Sequence, residues 1–451
     1  MLASLLALAL APIAVGADLP LASGLQLTYR GTVAQLNDDR SPGTAEKTFD
    51  LSLLLAGVGT DDARVYWRVD ERGKGAWPWI ERFGSVRVSA DWQPDDSPLP
   101  ALLYDRGEGM TVIPLHLPFL HTEEALAEDK EWADDHWSYR VAKGDKLDGR
   151  EVWQVQVSNN YGLKRTLLVD RGGDLAPGMN ERVFMGMGQE YDLQLRLVAA
   201  EQLPGNKAQA AVASYDAMIG LRTKLNRPPR DDSRDFNEKQ LAVLAELLPD
   251  TEKQVTEPAL AKLVRAARKD VEQQNSRASA VDKLAAEYEG RELPEFNLEG
   301  SSKEKLSAAD MKGHVTVLHF WDYRDAPMEE PYGQVGYLDF LCQRRQADGV
   351  KVYGVAVDGR LADDDKRAAA IRGVRKFKSF MNLSYPVMLD GGAFIKEFGD
   401  PRLIGAELPL FVVIGADGTI QHYHVGYYEV DRNEGLKALN EAVGAAVNAG
   451  K

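Results

Sequence analysis

One cysteine in 451 residues sets the first chemical limit. Cys342 cannot form an intrachain disulfide, so any redox couple would need a sulfur from another molecule. It follows Leu338, Phe340 and Leu341 in a segment of helical periodicity, where a lone thiol is expected to pack as a small hydrophobe. It remains the single candidate for redox chemistry, with its own thiol or with a partner's. His319 and Asp325 offer an acid–base pair, but His319 stands in the apolar run HVTVLHFW and reads as a satisfied core histidine. His422 and His424 in QHYHVG face one side of an extended segment, because strand side chains repeat every two residues. With no third ligand at distinctive spacing they read as hairpin polarity, and no metal is assigned. Asp134, Asp135 and His136 are adjacent and converge poorly on one ion. ADDDK at 362–366 lacks the distal bidentate acid of a calcium loop and reads as a helix start. Phosphate cradles, nucleophile elbows and zinc-protease helices are missing from the sequence, and no cofactor is predicted.

Three compositional regimes must position these groups. From about Leu25 to Val198, runs such as LQLTYRGTV, ARVYWRVD, EVWQVQVS and YDLQLRLVAA alternate with period two between Gly, Asp, Asn and Pro. They predict antiparallel strands in a curved sheet or incomplete barrel, with aromatics packed across strands. FNEKQLAVLAELL and ALAKLVRAARKDVEQQNSRASAVDKLAAEYEG then repeat near 3.6 and predict a helical spacer, interrupted by NRPPRDDSRD. The last 160 or so residues alternate strand and helix periods, with Ala416-Asp417-Gly418 as a hairpin turn. The fold class is therefore an α+β multidomain chain. Its predicted parts are a signal peptide at 1–17, a β-rich N-terminal domain at 18–205, a helical connector at 206–290 and an α/β domain at 291–451.

The apolar opening MLASLLALALAPIAVGA, with Val15-Gly16-Ala17 as a small-residue cleavage site, predicts export to a periplasmic or extracellular space. No later stretch has the length of a membrane helix, so no integral segment is predicted after signal removal. With 44% hydrophobic and 27% charged residues the chain is globular, and a net charge of −15 argues against nucleic acid and anionic lipid as partners. Arg344-Arg345 is too short for a basic patch and is expected on the wet face of a helix.

Residues 291 to 448 resemble the thioredoxin-like superfamily, especially exported TlpA/ResA-type and redoxin-like domains. The resemblance is carried jointly by ELPEFNLEG, LHFW, GVKVYGVAVD, YPVMLD and LPLFVVIGADGTI followed by Gly426. It implies that the two family cysteines fall at Asp325 and Met328, so that CxPC has become DAPM through Ala326 and Pro327. Pro409, after Leu408, matches the proline commonly held in cis beside the dithiol, and His319 matches the buried acid that assists proton transfer. Neither Asp325 nor Met328 can form a mixed disulfide or resolve one. Asp325 suits a helix N-terminus instead, with Pro327 early in that helix. The expectation is a noncatalytic binding or structural module. Its surface around Tyr323, Asp325, Pro327 and Pro409 would take an envelope or extracellular protein or peptide. The alternative is a divergent oxidoreductase using Cys342 or a partner thiol.

Overall fold

A computed structural model describes residues 20–450 except 108, 123, 135, 187 and 324–331, with the backbone alone at 332. The chain divides into two compact units, 1–271 and 272–451, so the division falls inside the third long helix.

In the first unit the predicted alternation becomes one open antiparallel sheet of ten strands. Its strands are β1 (Leu25–Leu36), β2 (Pro42–Ala56), β3 (Asp62–Gly73), β4 (Phe83–Ser89), β7 (Glu131–Ala133), β8 (Ser138–Leu147), β9 (Arg150–Asn159), β10 (Gly162–Asp170), β11 (Gly178–Met185) and β12 (Gln189–Gln202). β5 (Ala101–Asp105) and β6 (Met110–Pro114) form a separate hairpin. The order is β4-β3-β2-β1-β12-β11-β10-β9-β8-β7, so the first and last long strands meet in the middle. Alternation sorts the side chains into two cores. Leu51, Leu53 and Leu55 of β2, with Val65, Trp67 and Val69 of β3, enter the larger one. Leu54 and Tyr66, between them, face α1 (Gly205–Leu225), α2 (Glu238–Gln254) and the first turns of α3 (Pro258–Tyr288) through Met218, Leu221, Leu244, Leu260 and Val264. Asn237 caps α2 by accepting from the Gln240 N–H at 2.9 Å, while the Gln240 side chain returns the bond to the Asn237 N–H.

The apolar stripe of β2 and β3 ends in a fully buried ion pair. Lys47 Nζ lies 2.7 Å from Glu71 Oε2, and neither side chain reaches solvent. Glu71 also accepts from the backbone N–H groups of Trp77 at 3.1 Å and Leu103 at 3.0 Å, and Lys47 donates to the Gly75 carbonyl at 2.5 Å. Burial lowers the Lys47 pKa, against the pull of Glu71. The pair thus fastens the long excursion after β3, and β5 with it, onto the sheet. Gly75 is required there: its φ is +75°, and a Cβ would stand 2.6 Å from the Asp105 nitrogen and 2.7 Å from the Leu103 oxygen.

The second unit is built from β13 (Asn297–Glu299), β14 (Lys305–Ser307), β15 (Thr316–Asp322), α4 (Val335–Arg345), β16 (Lys351–Val357), α5 (Asp364–Phe380), β17 (Val387–Asp390), β18 (Leu410–Ile414), β19 (Ile420–Val425) and α6 (Lys437–Ala449). Its five-stranded sheet runs β17-β16-β15-β18-β19. β15 is parallel to β16 and antiparallel to β18. β15 is buried on both faces, with Val317 and Trp321 in one core and Leu318 and Phe320 in the other. Asp363 caps α5 by accepting from the Asp365 N–H at 3.0 Å, as the acidic run predicts, and Gly418 turns the last hairpin at φ +85°. Arg344 is exposed, but Arg345 departs from the expected wet face. It donates to the Asn440 side chain at 2.7 Å and carbonyl at 3.0 Å, tying α4 to α6.

Lys47→Met should leave the Glu71 carboxylate buried without its cation, a change that costs about 3–5 kcal/mol. Seven of the eight tryptophans precede residue 272, so urea unfolding followed by tryptophan fluorescence reads this unit. A loss below about 1 kcal/mol, the level of an exposed pair, would contradict the fastening role.

Candidate functional site

The carboxyl end of β15 is the place where the sequence frame points. Trp321 is buried there, edge-on to Tyr323 with ring centroids 5.7 Å apart and 5.2 Å from Phe377 of α5. The Tyr323 N–H donates to the Val357 carbonyl at 3.1 Å, and its half-buried ring leans on α5 beside Gly373, where a Cβ would meet the phenol oxygen at 2.7 Å. Pro409 is buried at the head of β18, behind a cis Leu408–Pro409 bond, and its carbonyl accepts from the Gly426 N–H at 2.7 Å. Tyr323 continues β15 itself, and Pro409 precedes Leu410, which pairs with Phe320 on the neighbouring strand β18. Asp325, Ala326, Pro327 and Met328 lie outside the described residues, and so does any pairing of Asp325 with His319. The described part of α4 begins at Val335, after Gly333 and Gln334 with φ of 64° and 62°. Two successive left-handed residues interrupt a right-handed helix at this point.

Gln334 has no sequence signature, yet it organises the site. Its side chain donates to the Tyr428 carbonyl at 2.7 Å and accepts from the Tyr428 N–H at 3.0 Å, so the start of α4 is clamped to the segment after β19. Tyr428 in turn covers a row of aromatic rings set by register: His319 on β15 opposes Phe411 on β18, which opposes His424 on β19. His319 stacks on Phe411 at 4.4 Å, and Tyr428 stacks on His424 at 3.9 Å while its hydroxyl meets His422 Nε2 at 2.7 Å. His319 is fully buried, and neither of its ring nitrogens reaches a partner of good geometry among the described residues. Burial therefore pushes its pKa down to about 3, with only a smaller opposing pull from the Gly333 backbone. Burial also lowers His422, against Glu289, and lowers His424, helped by the charge of His422. These neutral rings behave as packed aromatics, and among the described residues no cluster of three or more His, Cys, Asp or Glu side chains can hold a metal.

Asp390 and Asp400 at this edge are engaged in turns. Asp390 accepts from Gly392, Phe394 and Ile395 N–H groups at 2.8, 3.0 and 2.8 Å. Asp400 holds Arg402 at 2.8 Å, and Arg402 approaches Asp322 at 3.7 Å. In the first unit, Asp134 accepts from the His136 and Trp137 N–H groups and the Tyr139 hydroxyl, which is turn building, and Asp135 is not described. Cys342 sits seven residues beyond Val335, about 10 Å along the helix axis. It is half-buried, and burial followed by the nearby Asp339 charge pushes its thiol up, against a contact with Ser384. A thiol raised this way carries little thiolate, the form that attacks disulfides and peroxides. The exposed groups near the proline loop are apolar and were not singled out from sequence. Leu403 is 77% exposed, and Tyr427 is 53% exposed with the Glu407 charge close to its phenol.

Residues 290–423 match the AhpC/TSA family. No curated protein matches the chain. Similar solved structures include a thioredoxin-family thiol:disulfide interchange protein of Chlorobium tepidum at 18% identity. It covers 35% of this chain and 97% of its own, with a TM-score of 0.28. A secreted Mycobacterium tuberculosis disulfide oxidoreductase is 19% identical, covering 34% and 96%, with a TM-score of 0.26. The thioredoxin domain of a Bacteroides vulgatus thiol-disulfide oxidoreductase is 15% identical, covering 34% and 97%, with a TM-score of 0.25. The C-terminal domain is thus a thioredoxin-like redoxin domain that lacks the CxxC pair, Cys342 being the chain's lone cysteine.

The histidine row sets a pH dependence. Where the folded pKa lies below the unfolded value of 6.5, the unfolded chain binds more protons, so stability falls as pH drops from 6.5 toward about 3 and is unaffected above that window. His319→Leu should remove one such proton, making the wild type lose stability relative to the variant by up to about 1.4 kcal/mol per pH unit below 6.5. Denaturant titrations of both proteins at pH 5 and pH 7.5 measure it, and a difference independent of pH would oppose the neutral, buried assignment.

Proposed function

We propose that this is an exported, noncatalytic thioredoxin-like protein whose C-terminal domain binds a peptide segment of an envelope or extracellular partner. The observation that carries the reading is a retained frame without its sulfur pair. β15, its buried histidine and the Pro409 loop stand in place, while the only thiol is half-buried and distant along α4. Sulfur exchange needs an attacking thiolate and a resolving thiol, and the chain supplies neither pair member at the strand exit. Recognition needs only shape, apolar contacts and free backbone groups. Leu403 and Tyr427 offer exposed apolar surface beside the Pro409 loop, and Glu407 and Leu408 make no backbone hydrogen bond among the described residues. An extended peptide can pair with such a segment while placing alternate side chains on the apolar flank. Export rests on the N-terminal run of the sequence, which lies outside the described residues; among those described, no helix is long and apolar enough to cross a membrane.

Two measurements on the full chain test this. Cys342→Ser and wild type should show the same background rate in insulin reduction and peroxide consumption; a rate lost with Cys342 would favour an oxidoreductase. A display library of extended peptides should yield binders whose affinity falls about tenfold in Tyr427→Ala, the size of an interface anchor. Selected peptides indifferent to Tyr427→Ala and Leu403→Ser would reject this surface.

A further inference from the structure

A cavity of about 270 Å³ in the first unit lies between the exit of β3, the segment Pro98 to Ala101 and the carboxyl end of α1. Trp67, Trp77, Pro98 and Leu99 form its apolar wall. Its charged lining is Glu81, Arg222, Arg227 and Arg230. Arg227 is already neutralised: it pairs with Asp231 at 2.7 Å and donates to the carbonyls of Ser233 and Asp235. Arg222 is different. It donates to the Phe83 carbonyl at 2.6 Å and lies 5.3 Å from the centre of the Phe83 ring, but no described carboxylate comes within 4.0 Å. Burial lowers its pKa, opposed only by the more distant Glu81. Arg230 is exposed and likewise has no described carboxylate within 4.0 Å.

Charge decides the kind of occupant. Arg222 and Arg230 against Glu81 leave one excess positive charge in a cavity of a chain whose net charge is −15. Burial pushes the Glu81 carboxyl up, against the charges of Arg222 and Arg227 and a backbone hydrogen bond from Arg230. The carbonyl end of α1 would oppose an anion, but two of its carbonyls have donors: Thr223 accepts from the Asn226 N–H at 3.2 Å and Leu225 from the Gln240 side chain at 3.3 Å. The volume holds a small molecule, and the tryptophan, proline and leucine wall calls for hydrocarbon rather than a bare inorganic ion.

We propose that this cavity binds a small monocarboxylate with an apolar body, its carboxylate held by Arg222 and Arg230 and its hydrocarbon laid against Trp67, Trp77 and Leu99. A planar carboxylate matches the guanidinium fork, and binding supplies the half-buried Arg222 with a counter-ion that no described carboxylate provides within 4.0 Å.

Calorimetric titration of the full chain with hexanoate and 4-phenylbutyrate tests it, with 1-hexanol, hexylamine and inorganic phosphate as the other arms. The carboxylates should bind with Kd near 1 mM or tighter, at about −4 kcal/mol, and the other three should not. Arg230→Gln, an exposed change expected to leave folding intact, should weaken hexanoate about tenfold, the scale of one charged hydrogen bond. Arg222→Met should abolish binding, and because Arg222 also supports Phe83, Leu99→Trp provides an independent loss by filling the cavity. No heat from either carboxylate would overturn the proposal and leave Arg222 as a strut between α1 and β4. Binding unchanged by both Arg230→Gln and Leu99→Trp, or equal binding of hexanol, would overturn it as well.

Discussion

β15 has no wet side. Thr316 through Trp321 are all buried, and a strand covered on both faces has to sit at the centre of a sheet with helices or loops packed above and below it. That requirement fixes much of the C-terminal unit: β16 and β18 take the two flanks, and the side chains of β15 alternate between two separate cores. It also fixes what His319 can be. A ring in the middle of this strand, stacked on Phe411 and without a hydrogen-bond partner among the described residues, is held neutral by its surroundings and contributes as an aromatic. Gln334 and Tyr428 then close the row from outside, so the start of α4 depends on the same packing.

Separating the frame from the chemistry explains how a redoxin-like domain persists without sulfur. The frame is maintained by buried area and hydrogen bonds among residues outside 324–331, so the fold does not require a sulfur pair at the strand exit. Cys342 is half-buried on α4, where burial and the Asp339 charge raise its pKa, whereas a nucleophile needs it lowered. What the strand exit keeps is a surface, flanked by Tyr323 against α5 on one side and by Leu403 and Tyr427 near the Pro409 loop on the other.

The parts of this architecture that depend on local pattern were legible in the sequence. Period-two runs gave the strands of the first unit, the 3.6 period gave α2 and α3, and Asp363 and Gly418 mark a helix start and a hairpin turn for reasons of capping and φ. Features made by residues far apart were not. Lys47 and Glu71 look like ordinary surface charges in polar stretches, and only the register of β2 against β3 and the excursion to Leu103 bury them. Gln334 meets Tyr428 across 94 residues, and Arg345, which reads as solvated, is drawn in by Asn440. The site shows the same division: the places of His319 and Cys342 follow from strand and helix period and that of Pro409 from the family resemblance, whereas Tyr427, Leu403 and the cavity charges around Arg222 emerge only from tertiary contacts.

Restoring the sulfur pair examines the central claim, that a thioredoxin-like frame survives without its reactive atoms. Insulin reduction by the folded Asp325→Cys, Met328→Cys double variant, run beside the wild type with both new thiols titrated, is the measurement. The account predicts wild type at background and a clear gain in the double variant. A wild type that already reduces insulin, or a folded double variant with two titratable thiols that stays at background, would contradict it.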